Sequence, residues 1–243
     1  MGRTGLMMNW VRTIIYQIVF YTGSVFIVLG VALVAPFGQR VLIHHAHRWA
    51  RLQRWAAKHI LGITTRIEGH LPEGQYLFVS KHQAMYETTE LQLILGGPAM
   101  VLKKELARIP MWGWATRLYG SMAVDREASA KALRQLMSEG AALREQGRSV
   151  VVYPEGTRVP PGETPPLRSG FAGLYKAVGL PVVPIAVDSG RFLPKKGPKR
   201  PGVVTFRIGE VIPAGLPRRE AEQRVWEAIN ALELEGRVGQ AAG

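Results

Sequence analysis

Between Arg12 and Arg40 the chain carries no charged residue. The run TIIYQIVFYTGSVFIVLGVALVAPF, residues 13–37, is longer than the ~20 apolar residues a helix needs to cross a bilayer. Such a segment has three destinations: a protein core, removal as a signal peptide, or lipid. A signal peptide has an apolar core of only ~7–15 residues and a small-residue cleavage site, and this run has no clear one. Trp10, Tyr16 and Tyr21 are placed to anchor the segment at a membrane–water boundary. Membrane insertion is therefore expected, with a buried core helix as the alternative. A full span and a re-entrant hairpin both remain open.

The charge distribution supports the membrane. The net charge is +13, and no Asp or Glu precedes Glu68, whereas eight Lys/Arg do. That bias suits a polyanion, either nucleic acid or the anionic face of a bilayer. The apolar run favours the bilayer, so a phospholipid membrane is the expected partner and nucleic acid is not. RVLIHHAHRWARLQRWAAKHILG, residues 40–62, mixes Trp, Leu and Ile with cations and reads as a basic amphipathic helix on a membrane surface. His44, His45 and His47 read as interfacial, not as metal ligands. Most positive charge follows the apolar run, which puts the rest of the chain on the cytoplasmic side, and so at an inner (plasma) membrane. The chain has no cysteine, which excludes disulfides, thiol nucleophiles and cysteine metal sites.

From about residue 63 the pattern changes. Short β-rich runs at 64–69, 76–80, 99–103, 121–125, 149–154, 181–187 and 202–209 alternate with helical stretches at 86–95, 105–118, 127–146, 169–178 and 218–234. This alternation predicts an α/β domain over 63–243, with a mixed, largely buried sheet flanked by helices. A membrane-anchoring helical region over 1–62 precedes it. RFLPKKGPKRPG, residues 191–202, is a loop with five Lys/Arg and no acid, either solvated or set against lipid head groups.

Three motifs carry chemistry. In FVSKHQAMYETTEL, His82 follows an apolar run and Glu87 comes five residues later. Five is not a same-face helical spacing, so His82 is expected in the turn after the strand and Glu87 in the first turn of the helix. A carboxylate on one ring nitrogen fixes the tautomer and leaves the other nitrogen free as a base. Alone, the signal is weak, because a lone histidine near a helix start is more often structural or exposed. In VVVYPEGTRVPPG a strand runs into Pro154-Glu155-Gly156-Thr157-Arg158, and strand ends of α/β sheets are where ligands bind. Gly156 permits close backbone approach, Thr157 offers a hydroxyl and Arg158 can grip a phosphate bidentately. Lys103, Lys104 and Arg126 follow two further strands. Cations at one sheet edge beside a histidine suggest a phosphate-bearing substrate and proton abstraction.

Together, over roughly residues 75–190, these motifs resemble the glycerolipid acyltransferase family, specifically 1-acyl-glycerol-3-phosphate acyltransferases. The likeness rests on four ordered blocks: His82 with Glu87; Lys103, Glu105, Leu106, Pro110, Gly113, Gly120 and Arg126; Pro-Glu-Gly-Thr-Arg at 154–158; and Val183-Pro184-Ile185. Glu87 stands where the family has Asp. The resemblance implies that His82, oriented by Glu87, deprotonates the free sn-2 hydroxyl of 1-acyl-glycerol-3-phosphate, which attacks an acyl thioester to give phosphatidic acid. It implies Lys103, Arg126 and Arg158 as phosphate contacts, with Glu155, Gly156 and Thr157 shaping the acceptor site. Acyl-CoA or acyl carrier protein would be the donor, and no cofactor or metal is expected. A sister enzyme acting on another lyso-lipid, and an inactive basic membrane-binding protein, are the alternatives.

Overall fold

The computed structural model describes residues 3–124 and 130–241. Helices fill the first part: α1 (Arg3–Val34), α2 (Gln39–Ala56) and a π-helical turn (Ala57–Leu61). Gly62 ends this region in the left-handed conformation, φ 71°, which glycine adopts without a Cβ penalty.

The remainder alternates strand and helix: β1 (Ile63–Glu68), β2 (Leu77–Ser80), α3 (Tyr86–Ile94), β3 (Ala99–Lys103), α4 (Trp112–Tyr119), β4 (Met122–Val124), α5 (Ala130–Glu145), β5 (Val150–Val152), α6 (Gly170–Val178), β6 (Val182–Val187), β7 (Gly202–Ile208), α7 (Arg218–Ile229) and α8 (Ala231–Ala241). Each of the seven expected runs overlaps a strand, and the strands form one sheet in the order β1-β7-β6-β2-β5-β3-β4. Every neighbouring pair is parallel except β6–β7, so the sheet is mixed. β2 lies between β5 and β6. The chain leaves β2 toward β3 on one side, and returns from β5 to β6 on the other, so β2 marks the switch point where α/β sheets bind ligands.

Alternation along the strands sorts the core into two layers. Phe78, Val151, Val183 and Ile185 face α1–α4 through Phe20, Trp49, Leu91 and Tyr119. Leu77, Val79, Val150, Val152 and Val182 face α5–α7 through Leu143, Leu174, Val178 and Val225. The N-terminal helices therefore share a core with the sheet.

Two expected helices are broken. The 105–118 stretch holds a 3-10 turn (Leu106–Arg108) and α4, because Pro110 lacks an N–H and forces Ile109 into an extended conformation, φ −65°, ψ 124°. The 218–234 stretch breaks between α7 and α8 at Asn230, whose Nδ2 donates to the Trp226 carbonyl at 2.7 Å. The start of the 127–146 helix lies outside the described residues.

α2 departs from its expected placement. Its apolar face does not lie on lipid: Leu42, Trp49, Ala50, Gln53 and Ala56 are buried within the protein, and the helix packs on α1, α3 and α4. Arg40, Arg48, Arg51 and Lys58 face outward. α1 is the inverse. Its buried side includes Asn9, Thr13, Tyr16 and Phe20, while Ile14, Ile18, Phe26, Leu29 and Leu33 are exposed. It is long and apolar enough to cross a membrane, and only 11% of its most apolar window is buried. A continuous exposed apolar surface of this extent has lipid as its solvent, so the protein associates with membranes.

Candidate active site

β2 delivers the site by continuing its alternation past its last residue. Leu77 and Val79 point to the α5–α7 layer, and Lys81 follows them: its Nζ donates to Asn230 Oδ1 at 2.5 Å and to the Glu163 carbonyl at 2.8 Å. Phe78 points to the α1–α4 layer and His82 follows it, reaching Glu87 at the start of α3. Neighbouring residues thus serve opposite sides of the sheet.

His82 Nδ1 lies 2.9 Å from Glu87 Oε1. The same oxygen accepts the backbone N–H groups of Gln83 at 2.6 Å and Ala84 at 2.7 Å. Glu87 Oε2 accepts Ser189 Oγ at 2.7 Å, just past the end of β6. Four donors therefore hold a fully buried carboxylate in one orientation. A carboxylate only accepts, so Nδ1 carries the proton and Nε2 is left with a lone pair. The imidazole stacks on Tyr153, with centroids 4.4 Å apart and an interplanar angle of 29°, and keeps 16% exposure. A base with a fixed tautomer, a packed face and a partly open edge can take a proton from a bound hydroxyl.

Register places the other elements. Leu77 pairs with Val150 and Val150 with Ala99, so four residues on, Lys81, Pro154 and Lys103 share a row at the sheet edge. Lys103 thus ends β3 level with the histidine turn. Gly156 has φ 65° and closes a turn through its N–H to the Tyr153 carbonyl at 3.0 Å. The turn exposes Thr157 and brings the half-buried Arg158 across to the start of α3, where Nη2 lies 3.6 Å from Met85 Sδ. Glu155 turns the other way. It is buried 3.7 Å from Lys81 Nζ, and among the described residues neither carboxylate oxygen has a hydrogen-bond donor. Burial raises its pKa above the usual carboxyl value, against the opposing pull of Lys81. Arg126 lies outside the described residues.

Several site residues went unseen in the sequence. Ser189 holds Glu87, and the strand-end rule that selected Arg158 applies equally to the Asp188-Ser189-Gly190 turn after β6. Gln83 bridges Gly190 N and Glu233 Oε1, and Glu233 Oε2 accepts the Gly162 N–H, so α8 braces both the turn after β6 and the loop at Gly162. No local pattern marks Asn230 or Glu233. Lys199 is the inward-turned cation of the basic 191–202 loop; burial and, next, the nearby Arg158 lower its pKa. Its backbone N–H donates to Thr13 Oγ1 of α1 at 2.8 Å. Among the described residues no group of three or more His, Asp or Glu could hold a metal ion.

A family model described as Acyltransferase matches residues 62–188, just over half of the chain and the span that holds β2, the histidine turn and the Pro154–Arg158 turn. The chain belongs to the acyltransferase family. A 1-acyl-sn-glycerol-3-phosphate acyltransferase of Pseudomonas aeruginosa is 35% identical over 187 residues, covering 76% of this chain and 72% of the relative. One of Saccharomyces cerevisiae is 27% identical over 212 residues, covering 81% and 70%. The crystal structure of the 1-acyl-sn-glycerophosphate acyltransferase of Thermotoga maritima superposes with a TM-score of 0.72 over 93% of this chain and 98% of that one, at 21% identity, and so shares its fold. The resemblance drawn from four short blocks thus holds at the level of the whole acyltransferase domain.

Proposed function

We propose that this acyltransferase moves an acyl chain from a thioester, acyl-CoA or acyl carrier protein, to the sn-2 hydroxyl of 1-acyl-glycerol-3-phosphate, forming phosphatidic acid. The observation that carries the reading is the His82–Glu87 pair with four donors on the carboxylate. The names of the relatives supply the acceptor. His82 Nε2 takes the hydroxyl proton as the oxygen attacks the thioester carbonyl, and Glu87 stabilises the imidazolium that forms. The tetrahedral intermediate collapses with C–S cleavage, and the imidazolium returns the proton to the departing thiolate. Arg158, with Lys103 and Lys199, binds the acceptor phosphate, and Arg126 is expected to join them. Gly156 and Thr157 shape the acceptor site, and Glu155 supports it from below through Lys81. No cofactor takes part.

The acyltransferase sits at the inner membrane with its catalytic domain on the cytoplasmic face. α1 is strapped along the protein: Thr13 to Lys199, Ser24 to Trp49 Nε1 at 2.8 Å, and the Ile27 carbonyl to His45 Nε2 at 2.7 Å. A helix held this way beside the charged α2 submerges one face and does not stand free across the bilayer.

Purified protein assayed with lysophosphatidic acid, lyso-ornithine lipid and neutral lysophospholipids, each with both donors, tests the assignment. Transfer to lysophosphatidic acid should dominate, and its absence would reject the acceptor. His82→Ala should lower turnover about 10²–10⁴-fold, the usual worth of a positioned base; undiminished transfer would remove the mechanism.

A further inference from the structure

Among the described residues no hydrogen bond or ion pair joins the 106–111 turn, between β3 and α4, to His82, Glu87 or Arg158, and three of its apolar side chains are turned toward solvent. Leu106, Ile109 and Met111 are 43%, 47% and 38% exposed. Lys104, Arg108 and Arg117 surround them, against one acid, Glu105, in the same stretch. These cations and Ile109, Met111 and Trp114 line an open cavity of about 420 Å³.

The backbone of the turn is tightly constrained at Met111 and Gly113. Met111 has φ 59° and ψ −51°, a conformation that non-glycine residues avoid. Trp112 N–H reaches the Pro110 carbonyl at 2.6 Å and Gly113 N–H the Ile109 carbonyl at 2.7 Å. A Cβ on Gly113 would sit 1.9 Å from the Ala107 carbonyl oxygen, so only glycine closes the turn this tightly. Water gives no reason to fix three large apolar side chains in an exposed position.

The turn is also joined to the membrane-facing layer. Trp112, next in sequence, packs edge-on against Trp49 of α2, with ring centroids 5.3 Å apart, and Trp49 stacks on Phe20 of α1 at 5.9 Å. α4 touches both α1 and α2. Apolar side chains ringed by Lys and Arg are the composition of an interfacial lipid contact: the apolar groups enter the acyl boundary and the cations meet anionic head groups.

We propose that the 106–111 turn is a second lipid contact, docking on the anionic face of the bilayer beside α1, with a lipid headgroup phosphate in the adjoining cavity. The proposal rests on the membrane reading of α1. It also assigns a geometric role: β3 ends at the sheet edge that carries His82, so a turn anchored there holds the mouth of the site against the surface from which a lyso-lipid arrives.

The absence of native cysteine makes a direct test clean. Ile109→Cys, Phe26→Cys on α1 and Gln223→Cys on α7 are each labelled with an environment-sensitive fluorophore in the full chain. Each is mixed with vesicles of phosphatidylcholine containing about 30% phosphatidylglycerol, with and without spin-labelled lipid. The expected result is a blue shift and quenching at positions 109 and 26, and neither at 223, whose helix packs on the opposite face of the sheet. Quenching at 26 with a water-like, unquenched signal at 109 would overturn the proposal and leave the membrane reading of α1 intact. Quenching at neither would overturn both. Arg108→Glu with Arg117→Glu, on the Ile109→Cys background, should raise the phosphatidylglycerol fraction needed for the blue shift; an unchanged requirement would reject the headgroup role of the cations.

Discussion

Two regions of this acyltransferase invert the usual distribution of side chains, in opposite senses. α1 turns Ile14, Ile18, Phe26 and Leu29 outward and buries Asn9 and Thr13. The histidine turn buries Lys81, Glu87 and Glu155, each at most 3% exposed, and leaves His82 partly open. Each inversion would destabilise an ordinary soluble domain. The first is explained by a change of solvent, because lipid receives apolar groups without the cost that water imposes. The second is explained by pairing: every buried charge except that of Glu155 has hydrogen-bond partners at short distance. An exposed apolar residue here reports on the surrounding solvent, while a buried charged one reports on the partners gathered around it.

The largest effect should come from the second region. Glu87→Gln replaces an acceptor with a group that can donate to Nδ1 and offers one oxygen to four donors. Turnover should fall about 10³-fold or more, as when the orienting acid of a catalytic triad becomes an amide. Glu87→Asp keeps the charge and should stay within about 10-fold of the parent, measured as kcat at saturating acceptor. Equal activity in the two variants would mean that the carboxylate does not orient the base.

In the first region, two phenylalanines on one helix separate lipid contact from packing. Phe26 is 69% exposed and Phe20 is 2% exposed. Phe26→Asp should lower vesicle association by up to about 100-fold, since a charge in the apolar part of a bilayer costs about 2.5–3.5 kcal/mol, and should leave Tm in detergent unchanged. Phe20→Ala should do the reverse, costing about 3–5 kcal/mol of stability as a core deletion. Flotation and thermal melting read the two. Equal effects of both variants on Tm would show that the outer face of α1 is packed against protein.

How much of this was legible in the sequence follows the same division. α1 could be read because its signal is local: one uninterrupted run without charge. The seven strands could be read because alternation and apolar runs are also local. The contact between His82 and Glu87 was legible through its spacing in the motif, and the turn that carries Arg158 through an unbroken one. What stayed hidden is held together by long-range contact. Arg54 grips Glu90 through two nitrogens, at 2.7–3.1 Å, and ties α2 to α3 across 36 positions, and Asn230 meets Lys81 across 149. The amphipathic pattern of α2 was visible, but periodicity does not say what covers an apolar face, and here protein covers it. Pro110 was a visible breaker, while Asn230 ends α7 by a local bond to the Trp226 carbonyl, and its contact with Lys81 lies 149 positions away.

Glu155 gives the smallest expected effect and the sharpest test of why charge is tolerated inside. Burial raises its pKa above the usual carboxyl value, outweighing the attraction of Lys81. A folded-state value above the unfolded one means that the native state holds the proton longer as pH rises. Well below pH 4 both states are protonated and the group is neutral in its effect. As pH climbs through the ordinary carboxyl range, the unfolded chain ionises first, so stability falls until the folded pKa is passed, and is level thereafter. Glu155→Gln removes this loss. The Tm difference, variant minus parent, should therefore grow as pH rises from about 4 through the ordinary carboxyl range, and level off once the raised folded-state pKa is passed. If the parent instead gains on the variant over that range, Lys81 holds Glu155 as a stabilised carboxylate and pairing outweighs burial.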